Sequence, residues 1–237
     1  VNGTLDEGNI QAGVTISFYS DNNTVGGTTE AARNIISGND NYGVWISGNN
    51  TDANTVIGNY IGTQVNGTTA LANGNGVFLS TSTKNNTIGG TSAGARNIIS
   101  GNTNYGVKIQ NTGTNNNTVC GNYIGTDKNG TADLGNASIG VYICVGAQNN
   151  TVGGTSSGAG NVISGNNTSG VYISENNTTG NQVQGNYIGT DIKTEPPIWE
   201  IRLPVFVSPV ALRITQLEVL QQHPEILYQA MIIVAFM

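Results

Sequence analysis

The sequence predicts an all-β fold: a right-handed parallel β-helix solenoid of about six coils, followed by a non-repeat C-terminal tail. Three observations predict it. A set of landmarks recurs at shifts of 63 and 64 residues, a short aliphatic strand occurs twice in each such period, and Asn, Gly and Thr take the places that charge fills in most soluble chains. Asn22-Asn23-Thr24-Val25-Gly26-Gly27 returns from Asn85 and from Asn149. Asn34-Ile35-Ile36-Ser37-Gly38-Asn39 returns at Asn97 and Asn161, and Gly58-Asn59-Tyr60-Ile61-Gly62-Thr63 at Gly121 and Gly185. Unrelated landmarks keeping one phase over three copies mark a structural unit, not a compositional accident.

The Gly-Val-x-aliphatic strand lies at Gly13, Gly76 and Gly140 in one series and at Gly43, Gly106 and Gly170 in a second, so each period holds two coils. In the compact coil, NTVIGNYIGT (54–63) places two strands either side of Asn59, and a loop leads to the third strand, GVFLS (76–80). The other coil type inserts GTTEAAR (27–33) between the equivalent strands. Strands this short hold together only if their inward side chains stack from coil to coil. The inward set on one sheet is Val14, Ile16, Val44, Ile46, Val77, Leu79, Val107, Ile109, Val141, Ile143, Val171 and Ile173. On the second it is Val25, Val56, Ile88, Val119, Val152 and Val183, and on the third Ile36, Ile61, Ile99, Ile124, Ile163 and Ile188. Each stabilises by about 1.5–3 kcal/mol once buried, and β-branched residues dominate the set, as stiff strand positions favour. Asn59, Asn122 and Asn186, between the second and third strands, are expected to take the left-handed conformation that Asn tolerates, with their amides stacked along the axis.

The repeats occupy 1–191, and 192–237 form a separate, non-repeat segment. The tail has no Gly and no Asn, yet it holds all five Pro, both Met and the only His. Pro209 to Gln222 and Pro224 to Phe236 read as two short apolar helices, each with Pro near its start. The segment is either a cap over the open end of the solenoid or an end foreign to the fold. No membrane span is expected, because Glu218, His223, Pro224 and Glu225 interrupt the apolar run.

Composition narrows the function classes. A net charge of −6, with only 9% charged residues, excludes the basic footprint of a nucleic-acid binder. Cys120 and Cys144 form no CxxC or other metal-ligand spacing, and both follow inward residues on different sheets, which predicts outward-facing thiols and no bridge. The sequence opens at Val1 without a leader, so we read it as part of a longer repeat protein.

With these residues laid out, 1–191 resembles the parallel β-helix repeat proteins of the pectin-lyase-like superfamily, in particular bacterial secreted or surface proteins with repeats of the form NVISGN, GVxI, GNYIGTD and NGTxALGN. NVISGNNTSGVYIS (161–174) and GNYIGTDKNGTADLGN (121–136) carry the likeness. It implies the fold, a secreted or cell-surface location, and polysaccharide or cell-surface glycan as partner. It does not choose an activity, since that superfamily holds lyases, hydrolases, epimerases, tailspikes and adhesins.

On the Gly-Val-x-aliphatic sheet the middle residue faces outward and reads Thr15, Trp45, Phe78, Lys108, Tyr142, Tyr172 from coil to coil. Spaced about 4.8 Å apart, these would form an exposed aromatic ladder on which the apolar faces of sugar rings stack. The bland reading is cross-strand packing that shields backbone. Trp45, Phe78, Lys108, Tyr142 and Tyr172 are the candidate binding residues.

Groups for catalysis are scarce: the repeats contain no His and no adjacent Asp pair. Asp127 and Asp191 occupy equivalent positions two coils apart, about 10 Å, near the upper bound for an inverting carboxylate pair, but as loop residues after Thr they read first as turn formers. Asp127-Lys128-Asn129-Gly130 with Asp133 is a poor match to a calcium loop, and no metal or other cofactor is expected. Arg33 and Arg96, in AARNII and GARNII, read as stacking or loop-pinning groups that the third copy replaces with Gly160. The N-x-[ST] triplets, such as those at Asn22 and Asn49, fall on repeat corners, where composition accounts for their density. The leading expectation is a non-catalytic extracellular or cell-surface module, glycan-binding or adhesive. The alternatives are the substrate-binding part of a polysaccharide lyase or glycoside hydrolase, and a structural spacer.

Overall fold

The computed structural model describes residues 3–190, which wind as six coils of three strands. The first sheet stacks Ala12–Ser17, Tyr42–Ser47, Asn75–Ser80, Val107–Gln110, Ile139–Cys144 and Ser169–Ile173. The second stacks Thr24–Gly26, Thr55–Ile57, Thr87–Gly89, Thr118–Cys120, Thr151–Gly153 and Gln182–Gln184; the third stacks Ile35–Ile36, Tyr60–Ile61, Ile98–Ile99, Tyr123–Ile124, Val162–Ile163 and Tyr187–Ile188. Each strand pairs in parallel with its counterpart one coil away, as Val44 with Val77, Val56 with Ile88 and Ile61 with Ile99. The inserted segments contain single turns of 3-10 helix, Glu30–Ala32 and Ala93–Ala95. The non-repeat segment 192–237, and with it the expected helical cap, lies outside the described residues.

The predicted inward set forms one continuous core, in which Val44, Ile46, Ile61, Leu79, Ile99, Ile124 and Ile143 are fully buried. The sixth coil departs from this: Ile173, Val183 and Ile188 are 36%, 41% and 46% exposed, because no further coil among the described residues stacks on them. The glycine that opens each first-sheet strand is a close-approach residue. A Cβ at Gly43 would meet Ile61 Cγ2 at 2.7 Å and Asn73 Nδ2 at 3.0 Å, so Gly43 and Val44 both face inward and the strand alternation is broken between them.

The expected stack of asparagines is present, and it is one of three. At the corner before the third sheet the ladder runs Asn34, Asn59, Asn97, Asn122, Asn161, Asn186. A second runs Asn23, Asn54, Asn86, Asn117, Asn150, Asn181, and a third Asn9, Asn39, Asn73, Asn102, Asn136, Asn166. In each, the backbone N–H and Nδ2 of one Asn both donate to Oδ1 of the Asn in the next coil, as Asn97 does to Asn122 at 3.2 and 2.9 Å. From the third coil on, the second Nδ2 proton turns back to a carbonyl of the preceding coil, as from Asn122 to Ile88 O at 2.8 Å. Buried amides are thereby satisfied without water, each bond contributing about 1 kcal/mol.

The left-handed expectation for Asn59, Asn122 and Asn186 is corrected. The preceding glycines, Gly58, Gly121 and Gly185, carry positive φ of 70°, 66° and 69° instead. Glycine takes that conformation at no steric cost, which leaves the Asn in the orientation its ladder requires. In the NNT triplets that lead into second-sheet strands the two roles are divided likewise: Asn22, Asn85, Asn116 and Asn149 are left-handed at 55–60°, and the Asn that follows each joins the ladder.

Candidate binding face

The outward row on the first sheet is in strand register: Thr15 pairs with Trp45, Trp45 with Phe78, Phe78 with Lys108, Lys108 with Tyr142 and Tyr142 with Tyr172. Parallel pairing without a slip therefore brings all five candidate residues into one file. Their exposure differs from expectation. Phe78 is only 6% exposed, while Trp45, Lys108 and Tyr142 are half-buried and Tyr172 is 48% exposed. The row is a packed surface with an open C-terminal end, not a uniformly bare ladder.

Two aromatic residues missed in the sequence make it so. Tyr42 stacks on Phe78 at 4.9 Å between ring centroids and tilts against Trp45 at 5.4 Å. Tyr105 tilts against Tyr142 at 5.3 Å, and Tyr142 stacks on Tyr172 at 5.5 Å. Strict alternation would turn Tyr42 inward along with Val44; the break at Gly43 sends it out. The repeated Asn-Tyr-Gly-Val at Asn41 and Asn104 was the available signal.

Lys108 joins the two aromatic groups. Its Nζ lies 5.8 Å from the Phe78 ring centroid, 5.1 Å from Tyr105 and 5.6 Å from Tyr142, within range of cation–π attraction to all three. Trp45 Nε1 donates to Ser80 Oγ at 3.2 Å, which fixes the indole across the neighbouring coil. Tyr142 donates its hydroxyl to Glu175 Oε1 at 2.9 Å and shares a 3.2 Å hydrogen bond with Ser174 Oγ. The Ser174 contact draws the phenol down, but burial, the bond to Glu175 and the nearby Cys144 outweigh it and push the phenol up to about 12.

Both cysteines are free and lie on different sheets, as expected, but they are buried, not solvent-facing. Cys144 is 1% exposed beside Tyr142, and Cys120 is 7% exposed. Burial pushes both thiols up, away from the reactive thiolate.

Asp127 is a turn former. It is 4% exposed, accepts hydrogen bonds at Oδ1 from the Thr131 and Ala132 N–H, and accepts one at Oδ2 from Asn129 Nδ2. Burial pushes its pKa up, but those hydrogen bonds together prevail and hold the carboxyl below its ordinary value. Asp133 is likewise engaged, accepting from the Gly135 N–H at 2.9 Å. Asp191, the other half of the candidate pair, lies outside the described residues. Among the described residues no group of three or more His, Cys, Asp or Glu side chains is placed to hold a metal ion.

The arginines stack as expected. The Arg33 guanidinium lies 4.4 Å from the Tyr60 ring centroid, and that of Arg96 lies 4.1 Å from Tyr123. They help to bury an outer apolar stripe of Tyr60, Ile98, Tyr123 and Val162 on the third sheet. Where Gly160 replaces the arginine, Tyr187 is 58% exposed. No helix among the described residues is long and apolar enough to cross a membrane. Comparisons with protein-family models, with curated proteins and with solved structures return no match.

Proposed function

We propose that this chain is a non-catalytic β-helix module of a secreted or cell-surface protein and that it binds glycans along the outward face of its first sheet. The observation that carries the reading is the in-register file of Trp45, Lys108, Tyr142 and Tyr172, with one ammonium set among aromatic rings. Aromatic rings repeating with the sheet spacing of about 4.8 Å give an apolar strip against which consecutive sugars can pack, and the Tyr hydroxyls and the Lys108 ammonium suit their polar groups. Rings already held by stacking lose little rotamer freedom when a ligand binds. Asp127 weighs against hydrolysis or elimination by the candidate carboxylate pair, because both its oxygens are committed to its own turn.

The packing of Phe78 beneath Tyr42 favours a second reading, a spacer whose aromatic row only shields the sheet. An immobilised glycan and polysaccharide array separates the two when the full chain is run beside its Trp45→Ala/Tyr142→Ala variant. Binding predicts retention on at least one glycan, lost by at least tenfold in the variant. A spacer predicts retention on none.

A further inference from the structure

Beside the aromatic file stands a carboxylate that the turn does not require. The residue that leaves the first sheet is left-handed in every coil, and the six coils fill that position with Phe18, Gly48, Thr81, Asn111, Val145 and Glu175. The turn therefore selects no residue type, and a glutamate at φ 76° gives it nothing that glycine or asparagine would not. The carboxylate is nonetheless held in place. Oε1 accepts the Tyr142 hydroxyl at 2.9 Å, the same hydroxyl that meets Ser174 Oγ at 3.2 Å, and Oε2 has neither a hydrogen-bond partner nor a cation among the described residues. An ionised carboxylate offers about four acceptor sites, so most of the capacity of Glu175 is unused.

Next to it lies a shallow recess lined by Thr112, Val145, Asn176 and Glu175 itself, which belong to the fourth, fifth and sixth coils. Its groups match a sugar in kind. Val145, 38% exposed, supplies apolar surface, and the side chains of Thr112 and Asn176 have no hydrogen-bond partners among the described residues. The charge here is balanced. Burial is the chief cause that pushes the Cys144 thiol up, while Lys108 draws it down and Glu175 pushes it up, so one ammonium and one carboxylate act on the same buried atom. A ligand carboxylate or sulfate would gain from Lys108 and lose to Glu175, and a ligand ammonium the reverse, which leaves hydroxyl groups as the chemistry that suits both.

We propose that Glu175 is a binding residue of this face and that the sugar it holds is uncharged, donating hydroxyl groups to the carboxylate with its apolar side against Val145. The inference rests on the glycan-binding reading above and names the ligand class for it. A hydrogen bond to an ionised acceptor is about twice as strong as one between neutral groups, so Glu175 dominates the choice among sugars that pack equally well on the aromatic strip.

The test runs the full chain and its Glu175→Gln variant on immobilised neutral glycans (glucan, mannan and galactan), polygalacturonate and chitosan, followed by titration with the glycan retained and with its O-methylated form. Glu175 is exposed, so the variant should keep the circular dichroism and melting temperature of the parent. The parent should be retained on a neutral glycan and should bind the O-methylated form at least about tenfold more weakly, the worth of one hydrogen bond to a charged group. In Glu175→Gln the native glycan should weaken by a similar factor, and the difference between the two forms should shrink to about threefold or less. An unchanged affinity in the variant overturns the inference, as does a parent that binds both forms alike. Equal losses for native and O-methylated glycan overturn it too, since Glu175 would then act only as a support for Tyr142. Retention confined to polygalacturonate or chitosan overturns the assignment of an uncharged sugar. In each of these cases glycan binding itself stands, whereas a parent retained on no glycan removes both readings.

Discussion

Asn122 is fully buried, and its side chain ties together three coils: it accepts from Asn97, donates to Asn161 and reaches back to Ile88 O. Truncating it leaves donors and acceptors of both neighbours unpaired in a dry interior, where each orphan costs about 1–3 kcal/mol. Asn122→Ala should therefore cost about 3 kcal/mol or more, whereas Asn23→Ala, at the open end of its own ladder, should cost about 1 kcal/mol. Urea midpoints measure both, and equal losses would show that the ladders do not hold the coils together. Asp127 gives a pH-dependent counterpart. Its carboxyl titrates lower in the folded state than in the unfolded one, so its contribution is complete above the unfolded value of about 3.9 and is lost as pH falls through the depressed folded value. Asp127→Asn should be less stable than the parent at neutral pH, and the gap should close as pH falls below about 4. A constant gap would assign the effect to shape instead of charge. At this scale the sequence was only partly legible. Asn59, Asn122 and Asn186 stand out because Gly and Tyr-Ile frame them, but the asparagines of the NNT triplets merge into a composition already rich in Asn, and only the fold shows which of them join a ladder: Asn23, Asn86, Asn117 and Asn150 are second in their triplets, whereas Asn166 is first in its own.

The strand elements were legible because each inward aliphatic recurs at one phase, and stacked strands leave that phase no freedom. The corners were less so. The residue that leaves the first sheet is left-handed in every coil, yet it is Phe18, Gly48, Thr81, Asn111, Val145 and Glu175 in turn, so no residue type announces it. Val145, at φ 53°, is with Thr81 one of two β-branched residues in the series, and such a side chain crowds the backbone there and costs about 1–2 kcal/mol. It is 38% exposed, so it has little burial to lose. Asn111 shows that asparagine fits the equivalent position. Val145→Asn should stabilise by about 1 kcal/mol, a rise of about 2–4 °C in melting temperature for a chain of this size. A calorimetric melt that is unchanged or lower would place the strain elsewhere. The same break in regular alternation explains why Tyr42 and Tyr105 escaped the sequence reading. Their neighbours Gly43 and Gly106 turn inward against Ile61 and Ile124, and a period-of-two count assigns the tyrosines to the wrong face.

Among the described residues, each interior coil packs against two neighbouring coils and the first and sixth against one, so stability is a sum of nearest-neighbour terms and not a property of one centre. The exposure of the inward aliphatics follows this rule, from 0% at Ile61, Ile99, Ile124 and Ile163 to 46% at Ile188 on the same sheet. The same chemical change should then have a cost set by coil number. Ile99→Ala opens a cavity between two coils that cannot close without moving the Asn97–Asn122 bond, and should cost about 3–5 kcal/mol. Ile188→Ala removes a side chain already half in water and should cost about 1 kcal/mol. Amide exchange provides the companion measurement: protection should be greatest in Tyr60–Ile61, Ile98–Ile99 and Tyr123–Ile124 and should fall toward Tyr187–Ile188. A gradient that is absent would mean that the coils unfold as one cooperative block, with the three asparagine ladders coupling the ends to the middle more tightly than stacking of neighbours alone allows.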